Sequence, residues 1–142
     1  MRVPGEAMDS ERIYYRGSCL CKAVCFELLA EPVTASHCYC SMCQKQHGAA
    51  FASYARVRQE EFRYTRGQNA VKRFASSGAV ERCFCSECGS NLTWGYTEGE
   101  WSEWLAVALG CFDTPYTAAI TREIHLDDMA PWWEQLAKAR QT

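Results

Sequence analysis

Seven of the ten cysteines in this 142-residue chain fall into three tight blocks, and any fold of the chain has to accommodate them. Cys19-Leu20-Cys21 is a C-x-C pair, Cys38, Cys40 and Cys43 form C-x-C-x-x-C, and Cys85 and Cys88 form C-x-x-C followed by Gly89. A C-x-x-C turn lets two thiolates converge on one ion, with the glycine supplying the backbone freedom of the turn. In C-x-C on a strand both sulfurs project from one face, because the side-chain period is two. Disulfide scaffolds and metal proteins can share such a count. The N-terminal run MRVPGEAMDSERIYYRG lacks the apolar stretch of a signal peptide, and a chain of this length builds a core without staples. The reading is therefore metal binding in a reducing compartment, with a cytoplasmic location expected.

The rest of the pattern points to a mainly β chain. Residues 1–11 read as a flexible leader, followed by a single zinc-binding domain over 12–142. Strands are predicted at Arg12–Tyr15, Ala23–Leu29, Thr34–Tyr39, Ala50–Val57, Val71–Ser76, Asn91–Tyr96, Trp104–Leu109 and Ile120–Leu126, all rich in β-branched and aromatic residues between turns. Ser41–Gln46 reads as one helical turn and Pro131–Arg140 as a helix with proline near its start. No apolar run approaches the ~20 residues of a membrane span. The net charge of −2 leaves no cationic surplus for phosphates, which argues against nucleic-acid binding.

Two, two and three cysteines add up to one closed four-thiolate site and one three-thiolate site. Thiolate ligands and tetrahedral sulfur sites indicate zinc, and three protein ligands leave a position for water or substrate. Spacing leaves the partition open, since Cys83 precedes Cys85 just as Cys38 precedes Cys40.

Four ordered blocks resemble the glutathione-dependent formaldehyde-activating enzyme family, which includes centromere protein V-like proteins. They are Gly17-Ser18-Cys19-Leu20-Cys21, His37 through Lys45, Gly48-Ala49-Ala50-Phe51 and Phe84 through Leu92. The similarity runs from about Ile13 to Trp133 and includes Ile124-His125-Leu126 and Ala130-Pro131-Trp132. The resemblance implies a β-tent fold of the type shared with methionine sulfoxide reductase B: two packed antiparallel sheets with short helices, stapled by zinc. It implies a structural zinc on Cys19, Cys21, Cys85 and Cys88 and a catalytic zinc on Cys38, Cys40 and Cys43, two ions per chain. Lys22 stands where the family usually has glycine, and Gln44 where a basic residue is common.

The implied activity is that of a carbon–sulfur lyase, an S-(hydroxymethyl)glutathione synthase joining an aldehyde such as formaldehyde to a small thiol such as glutathione. Glutathione carries two carboxylates, so donors belong near the open site; Lys45, Gln44 and Arg56 are candidates by their place in the sequence. Cys25, Cys83 and Cys111 read as core packing, with Cys83 also a spare ligand. His37 and His47 are candidates beside the cysteine turn, whereas His125 and the five tryptophans read as structural. The alternative function is a non-catalytic zinc module for a protein partner. A thiol redox protein would use C-x-x-C in a βαβ setting, which this pattern lacks.

Overall fold

A computed structural model describes residues 12–140; the leader expected over residues 1–11 lies outside them. Two sheets and a few short helices make up the chain. Strands β1 (Tyr15–Ser18), β2 (Cys25–Leu28) and β5 (Phe62–Arg66) form a three-stranded sheet in the order β1-β2-β5. The seven-stranded sheet uses β3 (Thr34–Cys38), β4 (Ala52–Arg58), β6 (Val71–Ser77), β7 (Val80–Cys85), β8 (Asn91–Tyr96), β9 (Trp104–Ala108) and β10 (Arg122–Ile124). Its order is β10-β3-β4-β9-β8-β7-β6. All pairings are antiparallel except that of the edge strand β10, which runs parallel to β3. Helices α1 (Ser41–His47) and α2 (Pro131–Arg140) complete the described chain.

The hydrophobic core lies between the sheets. Phe26 and Leu28 of the small sheet meet Val57 of β4, Leu92 of β8 and Val107 of β9, all fully buried. Period-two alternation then decides what the large sheet shows on its other face. On β4, Ala55 and Val57 point inward, so Tyr54 and Arg56 line a cleft on the far side. On β9, Val107 is core while Ala106 lines that cleft. The sheet thus packs the core with one face and lines the cleft with the other.

Several strand boundaries differ from expectation. β1 starts at Tyr15 and runs through Gly17, where a Cβ would collide with the Phe26 ring and approach the Cys111 carbonyl oxygen to 2.7 Å. β5 and β7 have no counterpart among the predicted strands. β5 is a five-residue edge strand with no fully buried residue; Phe62 and Tyr64 alternate with polar residues and pack on the core while the strand pairs with β2. β7 carries Glu81 and Arg82 inside a central strand, which hides the apolar pattern. Of Ile120–Leu126 only Arg122–Ile124 is strand, because His125 takes a left-handed φ of 59° and turns the chain away.

Candidate metal centres and the cleft beside them

The loop after β1 carries Cys19 and Cys21, β7 ends on Cys85, and the turn after it carries Cys88. Their four Sγ atoms lie within 4.8 Å of one another. Cys19 to Cys21 is 3.6 Å and Cys21 to Cys85 is 3.8 Å. Tetrahedral zinc with bonds of about 2.3 Å requires sulfur–sulfur edges of about 3.8 Å, so these residues fit the ion. Backbone N–H groups of Val24 and Glu87 donate to Cys19 and Cys85 sulfurs at 3.3 and 3.4 Å, as thiolates require. A metal here would tie the small sheet to the large one. Lys22 sits in this turn with φ 69°, a conformation that favours glycine. Its Nζ reaches Ser18 Oγ at 3.3 Å and Asp113 at 3.6 Å, so the turn keeps a glycine-like path around a lysine.

The second cluster is Cys38 at the end of β3, Cys40 at the N-cap of α1 and Cys43 in its first turn, again with all sulfurs within 4.8 Å. Cys40 caps the helix itself, its sulfur accepting the Cys43 N–H at 3.3 Å. Cys38 and Cys43 are buried and Cys40 is half-exposed. Among the described residues no fourth Cys, His, Asp or Glu joins this group. The Cys43 thiol is held well below its ordinary range, foremost by hydrogen bonds from Cys38 and Cys40 and then by the Arg82 guanidinium.

Arg82 was not anticipated. It is only 4% exposed, and its Nη1 donates to Gln46 Oε1 at 2.7 Å and lies 3.7 Å from Cys43 Sγ, while Nε donates to Ser76 Oγ at 3.0 Å. None of these hydrogen bonds goes to a carboxylate, so the cysteine cluster supplies the counter-charge. Tyr54 also faces Cys43; burial and the sulfur's negative charge both push its ionisation far upward. His47 Nε2 sits 3.0 Å from the Tyr54 hydroxyl, and burial lowers its basicity.

Cys38, Cys40 and Cys43 open onto a cleft of about 530 Å³. Arg56 and Arg122 line it beyond the sulfurs, together with Trp94 and Tyr96. Among the described residues Asp128 is its one carboxylate. A contiguous compartment of about 430 Å³ continues past Arg56 to Trp101 and Trp104. Three tryptophans expected in the core therefore wall the cleft. His125, read as structural, also lines it.

Other candidates sit elsewhere. The Gln44 side-chain amide donates to the Tyr39 and Asp128 carbonyls at 2.6 and 2.9 Å, bracing α1 rather than facing the cleft. Lys45 borders a separate depression with Phe74. His37 points away from the cluster, its Nδ1 2.9 Å from Ser53 Oγ and its ring against Phe51. Cys83 is buried outside both clusters, Cys25 donates to the Lys22 carbonyl, and Cys111 donates to the Asn91 carbonyl at 3.1 Å. Arg82, Tyr54 and Arg122 escaped the sequence. A lone arginine between apolar positions of a strand was the signal for the first; the other two carried none.

These features define a mainly β protein in which one cysteine cluster bridges two sheets and a second opens on a cationic cleft. The chain belongs to the glutathione-dependent formaldehyde-activating enzyme family, whose sequence pattern matches residues 14–128. It is 33% identical over 86 residues to an uncharacterized lyase of Schizosaccharomyces pombe, a match spanning 61% of this chain and 61% of that protein. The fold is similar to that of a Rhodobacter sphaeroides protein solved by crystallography, at a TM-score of 0.60 and 21% identity, covering 76% of this chain and 98% of the other. Among the described residues no helix is long and apolar enough to cross a membrane.

Proposed function

We propose that the protein is a zinc-dependent carbon–sulfur lyase resembling S-(hydroxymethyl)glutathione synthase, a single domain over 12–142 acting at Cys38, Cys40 and Cys43. The observation that carries this reading is the three-thiol cluster at one end of a cleft whose charged walls are mainly arginine. Two zinc ions per chain are expected, structural on Cys19, Cys21, Cys85 and Cys88 and catalytic on the other three. When bound, the catalytic ion supplies the positive charge that keeps a substrate thiol deprotonated beside it.

The chain's own residues do the rest. Arg82 balances the thiolates from behind, and the guanidinium groups of Arg56 and Arg122 offer forks to a carboxylate carried by the substrate thiol. The substrate sulfur adds to the carbonyl carbon of an aldehyde such as formaldehyde. The thiol proton ends on the carbonyl oxygen, forming one carbon–sulfur bond; the reverse breaks it. Cysteines in a set this large call for a reducing compartment such as the cytoplasm.

The test is Cys40→Ser. Serine keeps the N-cap, so helix α1 and the circular dichroism spectrum persist. Native mass spectrometry is expected to count one zinc fewer, and thiol-dependent formaldehyde turnover is expected to vanish. Undiminished turnover would overturn the placement of catalysis at the three-cysteine cluster, whereas an unaltered, zinc-loaded protein without thiol-dependent turnover would leave the non-catalytic zinc module in place of the lyase.

A further inference from the structure

The compartment beyond Arg56 has a composition that a small peptide thiol does not explain. Strand register sets Arg56 of β4 beside Ala106 of β9, and Ala106 beside Trp94 of β8. A methyl group between two long side chains leaves a trough in the sheet face. The Arg56 guanidinium lies over the Trp104 ring at 5.0 Å and the Trp101 ring at 5.6 Å, Arg58 lies over Trp104 at 4.5 Å, and Tyr96 meets Trp94 at 5.0 Å between centroids. Trp101 and Tyr96 remain 48% and 38% exposed, aromatic surface that hydration disfavours.

The charge is as one-sided as the shape. Among the described residues no carboxylate lines the compartment. Arg56 Nε is buried with no hydrogen-bond partner, and among the described residues Arg122, at the same wall, has no ion pair. A buried donor without an acceptor is costly, and a guanidinium offers a planar fork suited to a carboxylate. Indole walls over an alanine floor suit a flat ring.

We infer that this compartment is a subsite for the planar anionic part of the substrate, an aryl carboxylate joined to the sulfur that reaches the cysteine cluster. Ala106 is its specificity-determining residue. The inference rests on the lyase reading for the placement of the sulfur.

Four probes separate the contributions, with dissociation constants read from tryptophan fluorescence of the zinc-loaded protein: 4-(mercaptomethyl)benzoate, benzyl mercaptan, 3-mercaptopropionate and the sulfur-free 4-methylbenzoate. The first is expected to bind at least about tenfold tighter than either thiol that lacks its ring or its charge. Ala106→Leu fills the trough and is expected to remove that advantage, with zinc count and circular dichroism confirming the fold. Equal binding of the three thiols, or an advantage that survives Ala106→Leu, overturns the subsite. Failure of the lyase reading looks different: 4-methylbenzoate would then bind as tightly as its mercapto analogue, and both would weaken in Ala106→Leu.

Discussion

A guanidinium that is 4% exposed with no carboxylate among its hydrogen bonds is an unusual object, because an unpaired buried charge costs several kcal/mol. Arg82 resolves this by facing Cys43. Three thiolates and one Zn²⁺ carry a net charge of about −1, which the arginine cancels. Arg82→Met should therefore weaken zinc at the three-cysteine cluster by about tenfold or more, in line with losses seen when groups behind metal ligands are removed. Arg82→Lys, which keeps the charge, should recover part of it. Competition with a chromophoric chelator measures both, and the four-cysteine cluster, none of whose sulfurs is among the hydrogen-bond partners of Arg82, serves as the internal control. Equal loading of both clusters in Arg82→Met would refute the charge-balancing role. In the sequence Arg82 follows Glu81 and looks like part of a solvated face. Strand alternation turns Glu81 and Arg82 to opposite sides, and the packing of β7 under helix α1 brings Arg82 against Gln46 and Cys43.

At the scale of elements, the cysteine turns were legible because their chemistry is local: sulfur spacing and a glycine after C-x-x-C. The strands around them were less so. β5 alternates Phe62 and Tyr64 with polar residues over only five positions, too short a run to stand out, yet its far end fixes the loop of the four-cysteine cluster. Gly67, just past β5, has φ 72°, and a Cβ there would overlap the Ala23 carbonyl. Ala23 lies between Cys21 and the buried Val24, so this contact seats the ligand loop. Gly67→Ala combines left-handed strain with a backbone clash and should cost about 2–4 kcal/mol. Urea unfolding of the two proteins measures it. A change below about 0.5 kcal/mol, the usual size of a surface effect, would mean that the loop relaxes freely.

Across the whole molecule, phenol hydroxyls link segments distant in sequence. Tyr15 donates to Glu31 at 2.8 Å and Tyr39 donates to Glu123 of β10 at 2.8 Å. Burial first, and then these carboxylates, push both phenols up to about 12. Tyr64 is also pushed up to about 12, mainly by burial. The native state thus holds protons that an unfolded chain releases near the ordinary value of 10. Their contribution is complete below pH 10 and is lost as pH rises from 10 to 12. The melting temperature should fall most steeply in that window, and Tyr39→Phe should flatten part of the fall. A profile level through pH 12 would contradict the assignment.

Local chemistry let the sequence alone determine three things: the β-rich character, the three cysteine blocks and the family. Each depends on residues within a few positions of one another, through side-chain period, turn geometry or ligand spacing. Tertiary structure decided what those blocks meet. Cys83, spaced like a ligand, is turned by strand alternation into the interior away from both clusters. Gln44, beside the open cluster in sequence, braces backbone carbonyls, whereas Arg56, Arg122, Trp94, Trp101 and Trp104 converge from four strands and a loop onto one cleft. Such convergence is set by the register of long-range pairings, and no short stretch of the chain encodes which side chains those pairings will place side by side.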